Sequence, residues 1–328
     1  MIIKGSGRLH DLMARQGLQT EAPCGGKGIC GKCRVKVSGD VSAPNANETD
    51  LLTPGELAQG WRLACMCRVD GEVVVELNRG ENARILTEGG EETVEGAVGV
   101  QAAVDLGTTT IAAYLLRDGR VVDCEAAMNP QRSVGADVIS RVDYLVNHDD
   151  GLQFLSGLAR HKVDELIGKM AARQNVAPDQ IARVTLVGNP IMTHIFSMID
   201  PRAIAVAPYT PAYREAFFTR GLYESAPSSE QLVGGCVAGY IGSDTIAAVM
   251  AAGMDRSDEV SLLLDIGTNG EIALGGRGRM LTYAAAAGPA FEGAQIKYGS
   301  GAVDGAIDRV WTEDGQLRCH VIGEGEAR

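Results

Sequence analysis

Leu263-Leu264-Asp265-Ile266-Gly267-Thr268-Asn269-Gly270-Glu271-Ile272 repeats, 160 residues further along the chain, the pattern of Ala103-Val104-Asp105-Leu106-Gly107-Thr108-Thr109-Thr110-Ile111-Ala112. Each segment reads as a strand, then Asp-apolar-Gly-Thr, then a second strand. Apolar runs on both sides of so short a polar turn spell a β-hairpin. At the hairpin tip, glycine lets the backbone approach a phosphate, while threonine hydroxyls and free amides supply hydrogen-bond donors. An aspartate at the strand end is placed to hold the water shell of Mg2+, an ion that keeps several of its waters. One such hairpin is an ordinary turn. Two copies, each opening a new run of strands, are a far more specific signal.

The flanking sequence has a βαβ rhythm. After strands expected between Val100 and Ala127, apolar spacing predicts helices over Ala136 to Asn147 and Gly151 to Arg173. Val184 to Val187 reads as a buried strand, and Pro190 suits the first turn of the helix after it. Leu232 to Val237, with Gly234 and Gly235, reads as strand and turn, and Ser243 to Ala252 as a helix. Such alternation predicts an α/β sheet with helical cover. His194, on the helix after Pro190, is read as a packed, hydrogen-bonded histidine rather than a base. Glu271 ranks behind Asp265 as a contact to metal or water.

The N-terminal part carries a different chemistry. Cys24-Gly25-Gly26-Lys27-Gly28-Ile29-Cys30-Gly31-Lys32-Cys33, followed by Cys65, gives C-x5-C-x2-C-x31-C. Four glycines let this loop wrap an inorganic core and point amides at its sulfurs. Two thiolates on each of two irons make a [2Fe-2S] cluster from Cys24, Cys30, Cys33 and Cys65. A structural zinc site is the competing reading, since four thiolates also suit zinc; zinc ribbons, however, usually present two C-x2-C knuckles, and only Cys30/Cys33 has that form. Disulfides fit poorly, because no secretory signal opens the chain. Cys67 would share a face with Cys65 on a strand, as a substitute ligand or as packing. Cys124, Cys236 and Cys319 are read as packing. Strands are expected at Arg34 to Ser38 and Glu72 to Leu77, and a helix at Leu9 to Gln16.

With 328 residues, 45% hydrophobic and 22% charged, the chain has the make-up of a globular protein of two or three domains. A formal net charge of -12 argues against general nucleic-acid binding and against an anionic membrane surface. No apolar run is long enough for a membrane-spanning helix. The expectation is therefore a cytoplasmic protein with no nucleic-acid or membrane partner. The polar, acidic stretch from Asn78 to Gly96 reads as a linker, and the expected division is 1–80 for the [2Fe-2S] domain, 81–99 for the linker, then lobes over 100–205 and 206–328.

The cysteine loop and Arg62-Leu63-Ala64-Cys65 resemble adrenodoxin-type ferredoxins, which implies a small β-grasp domain. Such ferredoxins begin with a full β-hairpin, whereas Met1 to Leu12 leaves room for one short strand. The two Asp-x-Gly-Thr hairpins resemble the phosphate loops of the actin, sugar kinase and heat-shock chaperone (ASKHA) superfamily. That resemblance implies a two-lobed actin-like, ribonuclease H-like fold with ATP and Mg2+ between the lobes. It makes Asp105 and Asp265 the metal and water carboxylates, with Gly107, Thr108, Thr109, Gly267, Thr268 and Asn269 around the phosphates. Together the two halves resemble the reductive activators of corrinoid proteins. Val187-Gly188-Asn189-Pro190-Ile191-Met192-Thr193-His194, Ala207-Pro208-Tyr209 and Ala286-Ala287-Gly288-Pro289-Ala290-Phe291-Glu292-Gly293 add to that likeness. The implied activity is ATP-dependent return of an inactive Co(II) corrinoid to Co(I). The implied partners are a corrinoid protein or corrinoid-dependent methyltransferase, an electron donor protein, and a second copy of the chain in a homodimer.

One departure stands out. Members of that family continue beyond this point, and Gly299-Ser300-Gly301-Ala302-Val303-Asp304-Gly305 precedes their adenosine loop. The expectation is a C-terminal truncation with an incomplete second lobe and weakened purine binding. The alternative function is a ferredoxin-like electron carrier whose actin-like part binds nucleotide or a partner without turnover. An acyl-CoA dehydratase-type activator fits less well, because its cluster is bridged between subunits by fewer cysteines, and a sugar kinase leaves the iron-sulfur half unexplained. Substitution separates the two modules: Asp105→Ala or Asp265→Ala should abolish nucleotide turnover with the cluster intact, and Cys30→Ser should do the reverse. Iron content and ATPase rate measured on each variant check this, and a cross-effect would break the two-module reading.

Overall fold

The computed structural model describes residues 1–18, 20, 22, 24–76, 93, 94, 96–285, 305–313 and 315–323. The linker stretch, the segment from Ala286 to Gly293 and most of the glycine-rich run that ends at Gly305 lie outside the described residues. The described residues fall into two compact units, 1–76 with 133–136 and 305–323, and 93–132 with 137–285. No helix among them is long and apolar enough to cross a membrane.

In the first unit, β1 (Ile2–Arg8) leads into α1 (Leu9–Arg15), followed by β2 (Arg34–Val41), α2 (Ala46–Leu51), α3 (Pro54–Ala58), β3 (Trp61–Leu63) and β4 (Arg68–Glu76). The sheet order is β1-β4-β2-β3, and every pairing is antiparallel. Period-two alternation decides its buried face: Val35 and Val37 point inward between exposed Arg34, Lys36 and Ser38, as do Val69, Val73 and Val75 on β4. Leu9 and Met13 of α1 close this core together with Ile3, Leu52 and Leu63. The N-terminus supplies a single strand, as expected, but it is seven residues long and paired with β4 throughout.

A buried ion pair holds the sheet to α2. Arg62 Nε and Nη2 donate to the two carboxylate oxygens of Glu48, each at 2.8 Å, and Nη1 donates to Ser42 O at 2.6 Å. Glu48 Oε1 also accepts from Leu63 N at 3.1 Å, and the Glu48 carboxylate closes the capping box at Asn45. Burial by itself raises the Glu48 pKa, but Arg62 and the amides of Asn45 and Leu63 overcome it and hold the carboxyl below its ordinary range.

The second unit begins with β5 (Val100–Leu106), β6 (Thr110–Arg117) and β7 (Arg120–Met128), then α4 (Val138–Asn147) and α5 (Gly151–Arg173). Next come β8 (Ile181–Gly188), α6 (Pro190–Phe196), α7 (Arg202–Ala205), β9 (Phe217–Thr219), β10 (Glu230–Val233) and α8 (Ser243–Ala251). Its sheet runs β7-β6-β5-β8-β10-β9, with β5, β8 and β10 parallel. Strands β9 and β10 thus continue this sheet beyond residue 205, where the lobe boundary was expected. Leu155, Ala159, Val163, Leu166, Ile167 and Met170 form the buried stripe of α5, at the spacing of a helix face laid on a sheet.

Strands β11 (Ser261–Ile266), β12 (Gly270–Gly276) and β13 (Arg279–Ala285) make a separate antiparallel sheet. One face packs Leu263, Ala273 and Met280 on Val249 of α8 and on Met254. The other face exposes Leu262, Leu264, Leu274, Leu281 and Tyr283. The hairpin of β14 (Ile307–Glu313) and β15 (Gln316–Val321) carries Cys319, which is exposed rather than packed.

Glu48→Gln leaves the Arg62 guanidinium buried beside a neutral amide. The expected cost is about 3 kcal/mol or more, read by chemical denaturation of the first unit. The native pair contributes stability that is fully present above the ordinary glutamate pKa of about 4.3 and is lost as pH falls through the lowered folded value. The variant should lose that part of the acid dependence, and an unchanged acid profile would remove the pair from the account.

Candidate functional site

The four cysteines of the N-terminal motif come together two by two. Cys24 Sγ and Cys30 Sγ are 3.3 Å apart, and Cys33 Sγ and Cys65 Sγ are also 3.3 Å apart. The first pair is half-buried and the second fully buried. Local chemistry sets the loop. Gly28 has φ +71°, the left-handed region that favours glycine, and a Cβ there would crowd the ends of the Met66 and Asn47 side chains, at 2.6 Å from Sδ and 2.8 Å from Nδ2. Cys65 lies in the turn after β3, tied to the loop by Ala64 N donating to Cys33 O at 2.9 Å and to α2 through Arg62 and Glu48.

The Cys30 side chain, aided by the amides of Ile29, Cys30 and Gly28, draws the Cys24 thiol down to about 4 against burial. Cys30 is pushed up by Cys24 and burial; Cys33 is lowered by Cys65, and Cys65 is raised by Cys33 and burial. Each pair thus favours one thiolate, and binding a metal there would release the second proton. Two sulfur pairs are what two irons with two thiolates each require. A single zinc ion needs four sulfurs around one point, and among the described residues no group of three or more His, Cys, Asp or Glu side chains is arranged for one ion. Cys67 does not share a strand face with Cys65. Its sulfur sits 4.0 Å from Arg68 O, near the Arg62 and Glu48 charges, and burial pushes its pKa up to about 11.

In the second unit the two Asp-x-Gly-Thr turns face each other. Gly107-Thr108-Thr109 joins β5 to β6, Gly267-Thr268-Asn269 joins β11 to β12, and Thr109 Oγ1 lies 3.1 Å from Thr268 Oγ1. A Cβ on Gly107 would stand 2.6 Å from Thr110 O. Gly267 N donates to Asn269 O at 3.1 Å, which tightens the second turn. Thr108 is buried, its hydroxyl accepting from Asn189 Nδ2 at 3.0 Å, so Thr109 is the threonine that meets the opposite turn.

Asp105 lies close enough to Asp265 to feel its charge. Asp105 is raised first by its surroundings, although solvent reaches it, and then by Asp265. Sequence reasoning missed Asp244, at the start of α8, whose carboxyl is pushed up to about 6 by burial and by Asp105 and Asp265. Glu271, opposite Asp265 across β11 and β12, is pushed up to about 7 by burial, Asp244 and Asp265. The chain reaches Asp244 through Gly242, where a Cβ would stand 2.3 Å from Gly188 O. Asp105, Asp244 and Glu271, each held protonated to higher pH by burial and then by neighbouring carboxylates, thus gather with Asp265 in one acidic region. His194 is no base: Nδ1 lies 2.6 Å from Pro190 O, Nε2 accepts from Ala212 N at 3.1 Å, and the ring stacks on Tyr213.

Paired cysteines on a small antiparallel sheet, and twin phosphate-type turns in an α/β unit, define a class: a [2Fe-2S] domain joined to an ASKHA-type domain. Comparison with known proteins agrees part by part. Residues 4–70 match the 2Fe-2S iron-sulfur cluster binding domain, 100–257 the RACo middle region, and 259–328 the C-terminal domain of RACo, the ASKHA domain. The chain belongs to the family of reductive activators of corrinoid proteins. It is 30% identical over 231 residues to the corrinoid activation enzyme RamQ of Eubacterium limosum, covering 68% of this chain and 38% of that protein. It is 28% identical over 202 residues to the [Co(II) methylated amine-specific corrinoid protein] reductase of Methanosarcina barkeri, covering 57% and 36%. A solved reductive activator for corrinoid,iron-sulfur protein superposes with TM-score 0.61 at 26% identity, over 96% of this chain and 66% of that one. The chain thus spans less than two fifths of the length of these curated relatives.

Because Asp244 and Glu271 hold protons to higher pH when folded, the folded state binds more protons than the unfolded chain between about pH 4.3 and about 7. Stability of the second unit should therefore fall as pH rises through that window. In a divalent-free buffer its unfolding temperature is expected to drop between about pH 5 and about pH 8, and Mg2+ should restore it at the upper end. A flat profile, or no rescue by Mg2+, would detach these carboxylates from a cation site.

Proposed function

We propose that this protein delivers single electrons to a corrinoid held by a partner protein, returning Co(II) to Co(I), and that ATP with Mg2+ bound at the facing turns drives the delivery. The observation that carries the reading is the two-by-two pairing of Cys24 with Cys30 and Cys33 with Cys65. The relatives named above supply the corrinoid as substrate class and a corrinoid protein or corrinoid-dependent methyltransferase as partner.

A bound [2Fe-2S] cluster supplies a one-electron carrier. The chain's own residues do the rest. Buried Cys33 and Cys65 shield one side of the site from water, while half-buried Cys24 and Cys30 leave the other side open to an electron donor or acceptor. Amides of Gly28, Ile29 and Cys30 stabilise negative charge on Cys24. Glu48 and Arg62 hold Cys65 in place.

In the second unit, Asp105 and Asp265 hold the metal's water shell, with Asp244 and Glu271 completing the acidic surround. Gly107, Thr108, Thr109, Gly267, Thr268 and Asn269 form the two turns that receive the phosphates, Thr108 from within through Asn189. Energy input is needed wherever the Co(II)/Co(I) couple of the partner lies below the plant-type ferredoxin potential of about -400 mV. A shortfall of ~100 mV for one electron equals ~2.3 kcal/mol. Differential binding of nucleotide to two states of the complex covers a shift of that size.

The test is anaerobic reduction of a Co(II) corrinoid methyl-transfer protein by the reduced protein, followed by visible spectroscopy with and without ATP and Mg2+. Co(I) should accumulate only with ATP, ATP hydrolysis should rise when the corrinoid protein is present, and Asp265→Ala should lose the ATP dependence. Equal reduction without ATP, with hydrolysis indifferent to the partner, would instead leave a plain electron carrier whose actin-like part only binds.

A further inference from the structure

Every carbonyl of the first turn is anchored on its inner side. Gly107 O accepts from Asn129 Nδ2 at 2.8 Å, Thr108 O from Arg141 Nη2 at 2.5 Å, and Thr109 O from Asn129 N at 2.8 Å. In a trans peptide the N–H points opposite to the carbonyl. The amides of Thr108 and Thr109 therefore face away from those anchors. A turn with its carbonyls held back and its amides presented is an anion receptor.

Two of the anchors are neutral amide groups, and the third is a guanidinium. Arg141 belongs to the buried stripe of α4 with Val138, Val142 and Tyr144, a place where an aliphatic side chain is the ordinary choice. It is fully buried, with Nη1 3.0 Å from Gln131 Oε1 and 2.8 Å from Met192 Sδ. Burial draws its pKa down to about 9, with Asp137 favouring the charge and Arg132 opposing it, so the group stays cationic at neutral pH. Asn129 shows that a neutral amide suffices to hold a carbonyl of this turn. What the arginine adds is a fixed positive charge directly behind the presented amides, in a site otherwise crowded with carboxylates.

We propose that Arg141 is a phosphate-positioning residue: its guanidinium pins the Thr108 carbonyl inward and sets a buried cation behind the first turn, favouring the polyphosphate chain of a nucleoside triphosphate. This rests on the nucleotide reading given above.

The experiment is calorimetric titration of the cluster-loaded chain with ATP, ADP and adenosine in Mg2+, on the unaltered protein and on Arg141→Met, Arg141→Lys and Gln131→Glu. Arg141→Met should weaken ATP by about tenfold or more, ADP less, and adenosine not at all. Arg141→Lys, which keeps the charge, should recover most of the ATP affinity. Gln131→Glu sets a carboxylate beside the guanidinium and, with Thr108 still anchored, should weaken ATP several-fold. That variant decides the matter if Arg141→Met fails to fold. ATP affinity unchanged in Gln131→Glu and in any folded Arg141→Met overturns the proposal, and so does a parallel loss of ATP and adenosine, the mark of a purely structural role. If the unaltered chain binds none of the three ligands, the nucleotide reading itself fails and this inference falls with it; ATP binding that ignores Arg141 and Gln131 overturns this inference alone.

Discussion

The parallel pairing of β5 with β8, from Val100 opposite Ile181 to Leu106 opposite Gly188, is the constraint on which the larger unit depends. It ends both strands at one level, and β10 ends two residues short of that level with Val233 opposite Leu186. Three chain segments therefore leave the sheet side by side at its carboxyl edge, where α/β proteins gather ligands. One carries Gly107-Thr108-Thr109, the next Asn189, and the third leads through Gly234 to Gly242 and Asp244. The contacts between them are too close for side chains. A Cβ on Gly188 would stand 2.8 Å from Leu106 O, and one on Gly234 2.3 Å from Ser243 Cβ. Ser243 ties the edge together, its hydroxyl 3.0 Å from Gly188 N. A slip of one residue in the β5/β8 register would turn Val104 and Leu186 out of the core and part Asn189 from Thr108.

The smaller unit solves the opposite problem. It has a thin sheet and must hold four sulfurs in place with little core to spare. The buried Glu48 carboxylate does several jobs at once, accepting both arms of Arg62, the Leu63 amide and the capping contact at Asn45. A buried ion pair rarely adds net stability over an apolar pair of equal volume, because both charges must be desolvated. Its worth here is geometric. It fixes β3 against α2 and so sets where the chain turns toward Cys33.

Local chemistry was legible in the sequence, and long-range assembly was not. The Asp-x-Gly-Thr hairpins and the cysteine loop are defined by residues that are neighbours in the chain, and glycine at a tight turn has few competing explanations. The helices over Val138–Asn147, Gly151–Arg173 and Ser243–Ala251 followed from apolar spacing to within a residue or two. Asp244 and Asn189 reach the turns only through the parallel crossovers, and Asn129 only through the antiparallel pairing of β6 with β7, so their places in the site were not read from the sequence. Cys67 misled for the same reason. Alternation along a strand would have put it beside Cys65, but the chain turns there and sends its sulfur toward Arg68 O. Arg141 did leave a trace, as a charged residue on the apolar stripe of its helix.

The electrostatics of the larger unit explain why such a residue is useful. Asp105, Asp244, Asp265 and Glu271 share one region, and the chain as a whole carries a formal charge of -12. On the proposed reading a polyphosphate must approach that region. Two like unit charges about 5 Å apart repel by roughly 3 kcal/mol at an effective dielectric of about 20, so the carboxylates alone would turn the ligand away. A divalent cation reverses the balance on the carboxylate side, but only while it is bound. A guanidinium locked beneath the first turn acts permanently and needs no reorganisation when ligand arrives. The two supplies of positive charge are therefore complementary. The exchangeable one sits where the carboxylates can hold it, and the fixed one lies behind backbone amides, where a mobile ion would have no ligands.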